Sequence, residues 1–596
     1  QLSLLESRFL VSPKKRERLE RSWAEAFRQH VLPKINEEEF RACFCENNGR
    51  PNKSIRLLVG MHLLKEADDL TDQQILDAIE FNIQWQHALG VEPADAHVCE
   101  KTLHNFRDKL ATDERAQKVF ESLTAALMVA DGLSAVRQRL DSTHVISNIK
   151  LLTRLGLFTE TIAVFLRQLR KEAPEKLAKL DTGYAKRYLD REGYFADAKR
   201  EQAQRRLPIV ARDLYALVRA FELDDIVKVW PSYALLARLL ADQCDVSCEE
   251  GAEAPVTLKE PVDIAGTSLQ SPHDPDATYG HKGKGYETQL AETCVKDNPY
   301  QVITGVQVTA ANASDQHALM PMIEQLEAAG HKPEVMITDT SYSGGENIVQ
   351  CAVMGVHLLA PVQDPAKPLS PEHWERPVEA APPSTTFSDA ETSTAPAEPE
   401  PAAVPPSPEH SEEPVEAAPA SATTLDAVTP KSDPATAGVD SFKFNEVFDT
   451  VLACPKGHAP IRQGAMEVAP GFKATFSGIY CTSCPLMERC ATGSRAGTDD
   501  RVLRWRDNKA ATATRQREQQ KPAFKQDYKL RSGIESTNAE IKGRHGARDL
   551  RMRGRPRVEI AMLLKATALN AKRAVQYHVE AFLSHAHEAA DAERVA

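Results

Sequence analysis

Residues 364–440 hold fifteen Asp or Glu against three Lys or Arg, in a background of Pro, Ala, Ser and Thr. A stretch so poor in large apolar side chains cannot bury enough surface to offset the entropy of ordering it. Ser370-Pro-Glu-His373 returns as Ser407-Pro-Glu-His410, and Pro377-Val-Glu-Ala-Ala-Pro382 as Pro414-Val-Glu-Ala-Ala-Pro419, both offset by 37 residues. A tandem duplication within an acidic linker explains both copies. A folded body that draws on both ends of the chain must therefore close across this segment. The same residues account for the net charge. The whole chain carries −12 and this segment alone −12, so the remainder is neutral. Within that remainder, residues 501–573 carry twenty Lys or Arg against seven Asp or Glu, a net of +13. Charge segregated in this way suits a phosphate-binding surface beside a solvating tether.

The densest chemistry lies in Tyr528-Lys-Leu-Arg531-Ser-Gly-Ile-Glu535-Ser-Thr-Asn538-Ala-Glu-Ile-Lys542. On a helix of 3.6 residues per turn, Tyr528, Arg531, Glu535, Asn538 and Lys542 fall on one stripe, roughly 80° wide. Such a face could hold a metal ion beside a phosphate. A solvated face with i,i+4 ion pairs uses the same residues, and Ser532 and Gly533 weaken the helix.

Upstream, two strand-like runs carry isolated aspartates. Arg137–Val145 reads as a short strand carrying Asp141, and Pro333–Asp339 as an apolar strand that ends on Asp339 before a Tyr/Ser/Gly turn. Strand-end aspartates are commonly turn or cap residues. Between them, residues 151–271 are helical in pattern. A Gly/Lys-rich loop around His281 and Lys282 leads into two strands, Glu287–Val295 and Gln301–Thr309. Ser314-Asp315 reads as a helix cap, Glu346–Met354 as a helix, and Val356–Pro361 as a further strand. Residues 1–135 read as helices, with an amphipathic Ser54–Lys65 and a helix start at Leu70-Thr71-Asp72.

Cys454, Cys481, Cys484 and Cys490 fall within 441–500, enough for a tetrahedral zinc site, with His458 able to replace one thiol. Reduced, unligated thiols are the alternative. Arg548, Arg551 and Arg553, with His545, form a basic ladder suited to a phosphate backbone; an arginine-rich solvated surface would look the same. Eleven scattered cysteines fit a reducing cytosol. No run of about 18 apolar residues suggests a membrane span, and the first residues lack signal-peptide features.

Tyr528-x2-Arg531-x3-Glu535-x6-Lys542 resembles the Y-R-E-K signature of the IS-four superfamily of insertion-sequence DDE transposases. His545-Gly546-Ala-Arg548 and Asn570-Ala-Lys572-Arg573 resemble that group too. Gly49-Arg50-Pro51, the apolar helix, Leu-Thr-Asp and Thr102-Leu-x-x-Phe106-Arg107 resemble its InsH-type N-terminal domain. The resemblance implies Asp141, Asp339 and Glu535 as catalytic acids holding two Mg²⁺ (or Mn²⁺) ions. It implies a phosphate- and DNA-binding set of Tyr528, Arg531, Asn538, Lys542, His545, Arg548, Arg551, Arg553 and Lys282.

The fold expected is α/β, an RNase H-like mixed sheet core. A helical N-terminal domain (1–135) would bind DNA. The core would use 136–150, 272–363 and 501–576, with a helical insert at 151–271, the linker at 364–440, a Cys-rich insert at 441–500 and a tail at 577–596. The activity expected is Mg-dependent cleavage of double-stranded DNA at element ends followed by strand transfer, by a homodimer on DNA, in the cytoplasm. A metal-dependent nuclease without transfer, or a DNA-binding derivative without activity, are the alternatives.

Overall fold

Arg137–Val145 (β1) is the hub of a six-stranded sheet. The others are Thr278–Gly280 (β2), Gly283–Thr293 (β3), Ile303–Ala310 (β4), Val335–Ile337 (β5) and His357–Leu359 (β6). Their order is β4-β3-β1-β5-β6, with β2 folded back on the start of β3. β3 runs antiparallel to β1 and β4, whereas β5 is parallel to β1 and β6 parallel to β5. This computed structural model describes residues 12–38, 40, 53–149, 152–180, 182–190, 200–247, 255–363, 437–467 and 469–595, with residues 182, 200–202 and 586–595 as backbone only. Residues 364–436, Gly49-Arg50-Pro51 and the thiols Cys43, Cys45 and Cys248 lie outside them.

Alternation along the strands sends successive side chains to opposite faces. Leu140, Ala291, Met336 and Leu358 point into one core, closed by helices Leu319–Ala328 and Gly345–Val353. Tyr286, Leu290, Ile303 and Val306 point into the other. That second core is shared with the long helix Arg555–Val595 and with the N-terminal helices, including Trp23–His30, Ile55–Ala67 and Arg115–Asp131. The first 135 residues are thus not a separately cored domain. Residues 577–595, expected as a tail, continue this helix.

Ile55–Ala67 departs from an amphipathic pattern, because every residue from Leu57 to Glu66 is buried. The next helix starts at Asp72, where the sequence places a helix start, and Thr71 and Gln74 add a reciprocal capping box there. The insert encloses its own core around Phe165, Phe221, Trp230 and Tyr233. The Cys-bearing module is built on a small antiparallel sheet that takes in Arg501–Trp505, so its boundary lies past 505 and not at 500.

Burial of Ile55–Ala67 leaves Glu66 inside, and two ammonium groups compensate it. Lys565 Nζ lies 2.6 Å from Glu66 Oε2 and Lys65 Nζ 3.1 Å from Oε1. Burial raises the Glu66 pKa, but Lys565 and Lys65 overcome it and hold the carboxyl at about 2, below its ordinary 4.5. A depressed carboxylate stabilises the fold fully above pH 4.5, and that contribution is lost as pH falls toward 2. Lys565→Met, which strands part of a buried charge, should cost about 3 kcal/mol at neutral pH in denaturant unfolding. The deficit should shrink in acid, where Glu66 protonates.

Candidate active site

Parallel pairing sets the first two acids side by side. β1 and β5 match Arg137 with Val335 and Arg139 with Ile337, so the same offset two residues further brings Asp141 opposite Asp339. Asp141 therefore stands in the middle of a nine-residue strand and not at its end. Asp339 follows β5 and caps a single 3₁₀ turn, accepting from the Ser341 amide at 2.9 Å. Glu535 comes from the first turn of helix Gly533–Gly543, nearly 200 residues later, which packs against β1.

All three carboxylates meet one guanidinium. Arg531 Nη2 is 3.3 Å from Asp141 Oδ1 and 3.8 Å from Asp339 Oδ2, and Nη1 is 3.2 Å from Glu535 Oε1. Asn538 donates from Nδ2 to Asp141 Oδ2 at 3.1 Å, and its own carbonyl oxygen is buried without a partner. Burial pushes the Asp141 carboxyl above its ordinary value; Arg531 opposes that shift and the neighbouring Asp339 charge adds to it. Tyr528 is half-buried, and its phenol is held neutral by burial against the opposing pull of Arg531.

The stripe that carries these groups is not one helix. Pro522–Tyr528 ends in a 3₁₀ turn, Lys529–Ser532, before Gly533–Gly543 begins. The break is made by Arg139, which donates to the Leu530 carbonyl at 2.9 Å and lies where a Cβ on residue 533 would sit. Arg139 also binds Glu292, its cross-strand neighbour, at 2.7 Å. Glu292 is wholly buried, and takes Thr537 at 2.6 Å and Arg573 at 2.6 Å on its other oxygen. One buried carboxylate thus ties β1, the Glu535 helix and the C-terminal helix together. Arg573 was singled out by sequence, but Glu292 and Arg139 were not. The available signal was an acid in the middle of the strand-like run Glu287–Val295, a position that requires a cation once it is buried.

The remaining DNA-binding candidates separate into two groups. Lys282 lies 3.1 Å from Glu287 and 3.2 Å from Ser142, adjacent in sequence to Asp141. Lys542 is half-buried nearby, its pKa lowered by burial and then by Lys282. Gly283 and Gly285, at φ +117° and +144°, give the loop its turn. Arg548, Arg551 and Arg553 are exposed, although Arg551 spans to the Leu70 and Asp69 carbonyls at 2.9 Å and Arg553 donates to the Asn148 carbonyl. His545 is a correction. It is fully buried and its Nδ1 meets the Glu66 carbonyl at 3.0 Å, so it packs the N-terminal helices and is closed off from DNA.

Cys454, Cys481, Cys484 and Cys490 line one cavity with His458 and Phe442. The Cys481 thiol is pushed up by burial and then by each of the other three. Among the described residues, no three His, Cys, Asp or Glu are gathered closely enough to hold an ion as they stand.

Gly533→Ala would drive a methyl into the Arg139 guanidinium, so Arg139 must leave Glu292 or Leu530. It should lower the melting temperature sharply, whereas Gly543→Ala, with open space around it, should be neutral or gain up to about 1 kcal/mol. Thermal unfolding of both variants checks this.

No solved structure matches the chain. A protein of Rhizobium meliloti described as uncharacterized protein ORF8 in the nfe locus is 27% identical over 168 residues, covering 26% of this chain and 81% of that one. Residues 14–109 match a family described as a transposase domain (DUF772), and residues 453–575 match a transposase DDE domain. The second match takes in the four cysteines, Glu535 and Arg573; neither reaches Asp141 or Asp339. A transposase domain near one end and a transposase DDE domain near the other support reading the chain as an insertion-sequence DDE transposase.

Proposed function

We propose that this chain cleaves double-stranded DNA at the ends of an insertion element and joins those ends to target DNA, as a member of the Y-R-E-K subgroup built on an RNase H-like core. The observation that carries this reading is the meeting of Asp141, Asp339 and Glu535, from three separate elements, on the single cation of Arg531. The strand order β4-β3-β1-β5-β6, with its one antiparallel pair on each side of β3, supports the core assignment. So does the position of the first acid on the central strand.

The three carboxylates fit a divalent ion site. They are hard oxygen donors, converge from three directions, and have beside them a buried Asn538 oxygen that lacks a partner. Two Mg²⁺ (or Mn²⁺) ions held by Asp141, Asp339 and Glu535 would supply activation of a water or a DNA 3′-hydroxyl and stabilisation of the leaving 3′-oxygen. The chain's own groups do the rest. Arg531, displaced from the carboxylates, is left within reach of the scissile phosphate as a bidentate donor. The neutral Tyr528 phenol donates a hydrogen bond to a backbone oxygen. Lys282 and Lys542 offset the charge of a flanking phosphate, and Arg548, Arg551 and Arg553 carry the duplex further along. A dimer on DNA would present two such sites to the two element ends.

Purified protein should cleave a duplex bearing the flanking inverted repeats only with Mg²⁺ or Mn²⁺. Asp141→Asn, Asp339→Ala and Glu535→Gln should each lower the rate by at least about a thousandfold. Pre-cleaved ends should be joined to target DNA. Cleavage without joining would reduce the activity to that of a nuclease, and full cleavage by Asp339→Ala would remove the site.

A structural zinc ion in the Cys454, Cys481, Cys484 and Cys490 cavity is part of the proposal. Its support is the shared cavity and the mutual effect of the thiols on Cys481. Turns such as Gly457 N–H to the Cys454 carbonyl at 2.8 Å present two of the sulfurs from loops. Metal analysis should find one zinc per chain, and Cys484→Ser should lose it and destabilise the module built on Phe476, Leu503 and Trp505.

A further inference from the structure

We propose that Asp315 is a positioning residue for Asp339: it is the acceptor that receives the Ser341 hydroxyl when Asp339 turns its oxygens to a divalent cation. This rests on the metal-dependent reading given above. Asp315 opens the 3₁₀ turn Asp315–Ala318 that follows β4. Its carboxylate reaches into the site between the two aspartate-bearing segments. Oδ1 accepts from Gln289 Nε2 at 2.8 Å, while Oδ2 faces Ser142 Oγ at 3.3 Å and Ser341 Oγ at 3.4 Å. Ser142 adjoins Asp141, and Ser341 stands two residues past Asp339.

The orientation of Asp315 is set from inside the sheet. Tyr342, fully buried, donates its hydroxyl to Gln289 Oε1, which turns the Gln289 amide nitrogen toward Asp315. One Asp315 oxygen is thereby committed, and the other is left facing hydroxyls. Ser341 has a single proton. Its oxygen is 2.5 Å from Asp339 Oδ1 and 3.4 Å from Asp315 Oδ2, so the hydroxyl donates to Asp339 and Asp315 Oδ2 is an acceptor in waiting. A cation on Asp339 competes with that proton for the same oxygen. With Asp315 present, a rotation about the Ser341 side chain moves the proton to Oδ2 and keeps it hydrogen-bonded. Without it, the exposed hydroxyl has no second carboxylate to turn to, and it either stays on Asp339 and weakens the cation's hold or exchanges that bond for one to water.

Asparagine at 315 tests this directly. Its oxygen must face the Gln289 amide, which turns its NH₂ toward Ser142 and Ser341 and removes the acceptor. Mn²⁺ binding to the full chain without DNA, followed by electron paramagnetic resonance, should weaken about tenfold in Asp315→Asn, the lower end for a residue that orients a ligand. Melting without metal should be unchanged, and cleavage should recover at saturating Mn²⁺. In a Ser341→Ala background, where there is no proton to hand over, the same substitution should change Mn²⁺ binding by less than about twofold. Wild-type binding by Asp315→Asn, or an equal loss in both backgrounds, would overturn the proposal. If the wild-type chain binds no Mn²⁺, matching an Asp339→Ala control, the metal-dependent reading itself fails.

Discussion

Three carboxylates brought to one place repel one another, and the acidic site holds together because a guanidinium lies among them. Asp141 shows the balance. It is largely buried, pushed upward by that burial and by Asp339, and drawn back by Arg531. Arginine suits this position better than lysine, because a planar fork can address several oxygens at once and keeps its charge when partly buried. The same geometry leaves Arg531 loosely held. Its contacts of 3.2–3.8 Å to three different acids are long for charge-assisted hydrogen bonds, so no one carboxylate is locked in a tight pair.

Convergence also needs the Glu535 helix to be held against the sheet, and that depends on Glu292. A buried carboxylate that takes Arg139, Thr537 and Arg573 joins the central strand, the third-acid helix and the C-terminal helix at one point. Because Arg139 and Glu292 are cross-strand partners and Asp141 lies two residues along the same face, the clamp and the site share one register. A slip of one residue between β1 and β3 would uncouple both.

Much of this could be read from sequence where local pattern and chemistry coincide. The strands around Asp141 and Asp339, the helix after Gly345 and the helix start at Thr71 follow from strand-like runs, turn residues and cap residues. What escaped were facts of tertiary origin. Ile55–Ala67 has apolar and polar residues in helical order, but its Lys65 and Glu66 are buried because Lys565, 499 residues away, completes the charge balance. His545 sits in a basic run and looks solvent-facing; the N-terminal helices cover it. The 3₁₀ break at Lys529–Ser532 is imposed by Arg139 from another strand, and no helical periodicity records that. Asp315 read as a cap because hydroxyl partners from Ser142 and Ser341 are visible only once β1 and β5 are adjacent.

The acidic linker interrupts a body that closes on either side of it. The chain leaves the sheet after β6 held by the helix Asp507–Glu518: Val362 donates to Gln519 at 2.8 Å, and Arg515 donates to the Ala360 carbonyl at 3.0 Å. Helix Gly345–Val353 packs on the same helix, and Ala511 enters the core with Met336 and Leu358. On the far side, Ala437 is bridged to Cys490. The sites of exit and re-entry are therefore fixed by contacts that do not involve the residues between. The 37-residue repeat in the sequence lengthens the chain between Asp339 and Glu535 and leaves untouched the contacts that bring the two acids together.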